Sequence, residues 1–122
     1  MAANPLFVLV VEDEGLIRMS LVEDLLDAGF KVFEASSADA ALKVLDVHPE
    51  IDALFSDIDM PGSLDGLQLA KIVYQSRPEI AILLTSGYLK VARTELPPNS
   101  LFLSKPYDVN DVINHIREPG LR

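Results

Sequence analysis

A chain of 122 residues, 49% hydrophobic and 24% charged, has the size and balance of one globular domain that can bury a core without staples. It has no cysteine, which excludes disulfides, thiolate nucleophiles and cysteine-ligated zinc. Ten basic against nineteen acidic residues give a formal charge of −9, which argues against direct nucleic-acid binding but leaves a cation site open if the acids cluster.

The chain alternates short apolar runs with amphipathic stretches. Residues 6–11 (LFVLVV) form a continuous apolar run of strand length, the pattern of a strand buried on both faces. A helical stretch follows, with Ile17, Leu21, Leu25 and Ala28 on one face and Gly29 at its end. Residues 30–35 read as a second strand. Ser36 and Asp39 have capping-box spacing before a second helix carrying Ala41, Leu42 and Leu45. Pro49 ends that helix, and residues 51–56 predict a third strand. Pro61, Gly62 and Ser63 make a loop before a helix around residues 67–74. Residues 80–85 (IAILLT) and 101–104 are the fourth and fifth strands. Asp108 caps a last helix with Val109, Val112, Ile113 and Ile116. Between them, residues 88–99 leave room for a short or irregular helix only, because of Pro97 and Pro98.

Such alternation implies right-handed crossovers and a parallel sheet with helices on both faces, an α/β fold forming one domain over residues 1–122. No apolar run reaches the ~20 residues of a membrane span, and no basic segment precedes the first run as in a signal peptide. A cytoplasmic protein without membrane partners is expected.

In open α/β sheets the functional site lies beyond the carboxyl ends of the strands. The first strand ends in Glu12 and Asp13, and the third in Asp57 with Asp59 just beyond. Thr85, Ser86 and Gly87 close the fourth, while Lys105 and Pro106 follow the fifth. Carboxylates without nitrogen or sulfur ligands suit a hard cation such as Mg²⁺. A carboxylate can attack phosphorus to give an aspartyl-phosphate, and a metal, a lysine and a hydroxyl suit the charge on a transferred phosphoryl group.

The segments VVEDE, FSDIDMPG, LLTSGY and FLSKPY, in this order and at strand ends, resemble the response-regulator receiver family over essentially the whole chain. The resemblance implies a doubly wound, flavodoxin-like sheet of five strands in the order 2-1-3-4-5. It implies Mg²⁺ held by Asp13, by Asp57, by the Asp59 backbone carbonyl and, through water, by Glu12. Asp57 would be the phosphoacceptor, assisted by Thr85 and Lys105, and Phe102 would be the aromatic that moves with Thr85 in a switch. A cis peptide would precede Pro106. The implied partners are a histidine kinase or phosphotransfer protein and a downstream protein at the surface of helix 4, strand 5 and helix 5, with no turnover of a separate substrate.

Three departures from the family pattern stand out: Glu12 in place of the commoner Asp, a loop of residues 57–65 one residue longer than the commonest form, and the irregular VARTELPPNS stretch. Asp57-Ile58-Asp59 is also similar to the nucleophile motif of haloacid-dehalogenase-type phosphatases, but there it lies on the first strand and an acid pair follows late. A pure interaction domain is a third alternative, opposed by the intact Asp57, Thr85 and Lys105. The sequence leaves open a stand-alone protein or a domain of a longer hybrid kinase or regulator. Phe102 can equally be plain core, and His48 and His115 read as structural or surface residues.

Overall fold

The computed structural model describes residues 5–87 and 95–118. Its elements in chain order are β1 (Phe7–Val11), α1 (Gly15–Asp27), β2 (Lys31–Ala35), α2 (Ala38–Val47), β3 (Ala53–Asp57), α3 (Gly66–Ser76), β4 (Ala81–Ser86), β5 (Leu101–Ser104) and α4 (Val109–Arg117). The strands form one parallel sheet in the order β2-β1-β3-β4-β5, as the resemblance implied. Every residue of β3 and β4 is buried, which explains why residues 53–55 and 81–84 are apolar at successive positions rather than alternating.

Two cores result, one on each face. Leu9, Val11, Leu54, Ile82 and Leu84 pack against α2 and α3. Val8, Val10, Phe55 and Leu83 pack against Leu21, Val22 and Leu25 of α1 and Val112 and Ile116 of α4. This two-residue alternation also decides which side chains reach the upper edge on each face.

The termini of the elements refine the sequence reading. α1 ends before Gly29, whose φ of 98° is the left-handed conformation a helix exit favours. The expected cap at Ser36 is not used: Ser37 is the N-cap, its hydroxyl accepting the Ala40 N–H at 3.1 Å, so the start lies one residue later. Residues 51 and 52 precede β3 rather than belong to it; the Asp52 carboxylate accepts the Phe7 N–H at 2.9 Å and joins the lower ends of β1 and β3. α3 begins in a full capping box between Asp65 and Gln68. Asp108 caps α4 as expected, accepting the Asn110 N–H.

At the lower edge Arg77 binds four backbone carbonyls, those of Leu45, His48, Pro49 and Ile51, between 2.8 and 3.4 Å. It thereby ties the end of α3 to the end of α2. His48 stacks on Phe33 with ring centroids 4.1 Å apart, and His115 is buried in α4. Of the irregular stretch at 88–99, residues 88–94 lie outside the described residues; the rest includes a turn in which the Ser100 N–H donates to the Pro97 carbonyl, with Asn99 at φ 65°.

Candidate functional site

At the carboxyl edge the strand register sets Asp57 beside Thr85. Counting in twos from Val10, Phe55, Leu83 and Leu103, all packed on the α1–α4 side, brings Glu12, Asp57, Thr85 and Lys105 out on that same side. Strand ends from four neighbouring positions thus deliver two carboxylates, a hydroxyl and an ammonium to one place.

Asp57 is 3% exposed, and both its oxygens are held. Oδ1 accepts the backbone N–H of Asp59 at 3.0 Å, and Oδ2 accepts Lys105 Nζ at 2.8 Å. The same ammonium lies 3.7 Å from Glu12 Oε1. The Lys105–Pro106 peptide is cis, as expected. Glu12 is also 3% exposed and its carboxylate accepts the Glu14 N–H at 3.0 Å. Asp13 is exposed at the rim. One carboxylate oxygen from each of Glu12, Asp13 and Asp57 lies within 4.8 Å of the others. The Asp59 side chain is not part of this group and accepts the Ser86 hydroxyl at 2.6 Å.

Crowding two buried carboxylates, with a third at the rim, has an electrostatic cost. Burial, reinforced by the Asp57 charge, raises the Glu12 pKa from 4.5 to about 7, although the Glu14 N–H and Lys105 oppose the change. Burial alone would lower the Lys105 pKa, but the hydrogen bond and charge of Asp57, with Glu12, outweigh it and raise the value. The corner is therefore a cation-seeking site partly satisfied by Lys105. An all-oxygen donor set of this span fits an ion such as Mg²⁺, which binds oxygen at ~2.0–2.1 Å and takes few protein carboxylates.

Thr85 supplies a second signal. Its hydroxyl is fully buried and, among the described residues, has no hydrogen-bond partner. A buried unpaired hydroxyl costs ~1–3 kcal/mol, so its presence beside Asp57 points to a ligand that completes it. Phe102 is half-buried and sits opposite Leu84, packed against the α2–α3 core. Thr85 sits opposite Leu103 on the other face, so the two are diagonal neighbours on opposite sides of the sheet.

Sequence reasoning missed three features of this corner. Gly66 opens α3 directly under Asp57; a Cβ there would lie 2.7 Å from the Asp57 carbonyl carbon and 2.8 Å from Ile58 Cα. Ser86 pairs with Asp59. A groove of about 740 Å³ opens beside Lys105, between Leu16, Ile17 and Ser20 of α1 and Gly87, Pro106 and Tyr107. The glycine alone left a legible signal, since a glycine just inside a helix start asks for a reason.

The family model for the response regulator receiver domain matches residues 8–117. Among curated proteins, the response regulator receiver protein CpdR of Brucella abortus is 31% identical over 114 residues, covering 91% of this chain and 93% of that protein. The sensor kinase CckA of the same organism is 34% identical over 115 residues, but the chain spans only 12% of its length. The chain also superposes on a response regulator receiver protein from Sinorhizobium medicae with a TM-score of 0.88 at 26% identity, covering 95% of this chain and 94% of the other. For the receiver domain of the hybrid histidine kinase CckA the TM-score is 0.76 at 30% identity, with 93% and 97% covered.

Proposed function

The chain belongs to the response regulator receiver family and is a receiver domain of a two-component system, and from this premise we propose that Asp57 is its phosphoacceptor. The observation that carries the reading is the joint placement at one strand edge of Asp57, Lys105 and the Thr85 hydroxyl, which has no partner among the described residues. Glu12, Asp13, Asp57 and the Asp59 backbone carbonyl are the residues that would hold Mg²⁺. When bound, the ion neutralises charge on the carboxylates and on the phosphoryl oxygens.

Asp57 attacks phosphorus with a carboxylate oxygen as the bond from phosphorus to the donor nitrogen breaks, leaving an acyl phosphate. The Asp59 N–H and Lys105 orient the carboxylate beforehand. Lys105 then exchanges the carboxylate for a phosphoryl oxygen, and the Thr85 hydroxyl donates to another. A histidine kinase or phosphotransfer protein supplies the group; the groove beside Lys105, with Leu16 77% and Met19 56% exposed nearby, supports docking of an apolar helix face there. The output is a population shift read by a protein partner on the surface that includes β5 and the last helix, α4, with Phe102 following Thr85. The domain acts on itself and turns over no separate substrate. A cytoplasmic setting fits this role. Asp57 at the end of β3, after the acid pair that follows β1, is the reverse of the order in the phosphatase alternative.

Incubation with acetyl phosphate and Mg²⁺ tests the reading. One hydroxylamine-labile phosphoryl group should be gained by the parent and none by Asp57→Asn. Equal labelling of that variant would move the nucleophile elsewhere.

A further inference from the structure

Arg18, in the second turn of α1, has no part in the chemistry above, yet it is bound to the acidic corner. Its Nη1 donates to the Glu12 backbone carbonyl at 2.6 Å, and its Nε donates to Glu34 Oε1, at the upper end of β2, at 3.2 Å. Its side chain is 22% exposed. The Glu12 carbonyl belongs to the planar peptide that joins Glu12 to Asp13, so holding that oxygen fixes the base from which both carboxylates project. The Glu12 carboxylate closes the same turn from the other side by accepting the Glu14 N–H. α1 has no side-chain N-cap to stiffen this entry; the Glu12 N–H bonds the Ala35 carbonyl at 3.1 Å, and Arg18 holds the Glu12 carbonyl on the other side of the same residue.

We propose that Arg18 is a positioning residue for the Mg²⁺ site: it holds the Glu12–Asp13 peptide so that both carboxylates face Asp57, with Glu34 as its outer anchor. The inference rests on the metal site proposed above and deepens it. An arginine suits the task because one planar guanidinium reaches two acceptors in fixed directions, which a lysine ammonium does not reproduce.

Two roles for Arg18 predict opposite signs. As a positive charge near a cation site it would repel the ion, so its removal would tighten binding. As a positioning group its removal would free the loop and weaken binding. Loss of an outer support of a metal site typically costs about tenfold or more in affinity.

The test is calorimetric Mg²⁺ titration of the parent, Arg18→Ala, Arg18→Lys and Glu34→Gln, with a thermal melt of each to show that it is folded. Arg18→Ala should bind about tenfold more weakly. Arg18→Lys should lose nearly as much despite keeping the charge, and Glu34→Gln should lose less. At saturating Mg²⁺, phosphorylation by acetyl phosphate should return close to the parent rate in all three. Parent-like or tighter binding by Arg18→Ala, or full recovery in Arg18→Lys, would overturn the inference while leaving the metal site standing. A parent that binds no Mg²⁺ would overturn both.

Discussion

Replacing Gly66 with alanine should damage stability and phosphorylation together. The new Cβ would press on the Asp57 carbonyl oxygen and sit 2.7 Å from the carbonyl carbon and 2.8 Å from Ile58 Cα. All three are backbone atoms at or just after the end of the strand that carries Asp57, so no side chain can swing aside. Reaching an ordinary carbon–carbon contact of ~3.5 Å requires the start of α3 and the end of β3 to separate by at least roughly 0.8 Å, and relieving the nearer carbonyl oxygen requires more. Overpacking of this kind costs ~1–3 kcal/mol, against at most ~1 kcal/mol gained from alanine's better helix propensity. The net loss should lower the melting temperature by roughly 4 °C per kcal/mol. A misplacement approaching 1 Å at a reacting group can cost ~100-fold in rate. Gly15→Ala is the matched control. It also lies at the start of a helix, its new Cβ would meet nothing nearer than Arg18 Nη2 at 4.0 Å, and it should melt no lower than the parent. The assay is circular-dichroism melting with the initial rate of acetyl-phosphate labelling. A Gly66→Ala protein with the parent's melting temperature and rate would refute the close approach.

Three further outcomes follow from particular residues. Glu12 has a folded pKa above its unfolded one, so its contribution to stability is fully present below pH 4.5 and is lost as pH rises through about 7. The difference corresponds to ~3 kcal/mol at most, and urea titrations without metal should show the parent falling relative to Glu12→Gln across that window; a pH-independent difference would contradict it. Thr85→Val removes a buried unpaired hydroxyl and should stabilise the unphosphorylated protein by about 1 kcal/mol, while shrinking the amide shifts that beryllofluoride induces over residues 86–107; unchanged shifts at Phe102 would sink the switch. Arg77→Ala should cost ~2–3 kcal/mol in urea denaturation yet leave the labelling rate alone, because its four carbonyls lie at the opposite edge of the sheet; a slower rate would show the two edges to be coupled.

Most of the strands were legible because β1 from Val8 onward, β3 and β4 are buried on both faces, so their apolar residues follow one another instead of alternating. The site was legible because strand ends in a parallel sheet meet at one edge, so Glu12, Asp13, Asp57, Thr85 and Lys105 could be grouped without coordinates. What escaped depends on the path of the backbone or on contacts between residues distant in sequence. Ser36 and Ser37 offer the same cap chemistry, and only the backbone path decides that Ser37 accepts the Ala40 N–H. Asp65 and Gln68 had a readable capping spacing that the loop-like PGSLDG obscured. Arg77, Arg18 and the Ser86–Asp59 pair carry no local signal, since their partners lie 26 to 32, 6 to 16 and 27 positions away. Phe102 could be matched to a switch position by its distance from Lys105, but the register alone shows it on the face opposite Thr85.

The proposed phosphoacceptor, the carboxylate of Asp57, can be identified chemically. Borohydride reduction of the acetyl-phosphate-treated protein converts an aspartyl-phosphate to homoserine, which peptide mass spectrometry locates in the chain. Phosphorylation of Asp57 predicts homoserine at position 57 alone, dependent on Mg²⁺ and absent from Asp57→Asn. Homoserine at position 13 or 59, or none anywhere in a protein that retains label, would contradict it.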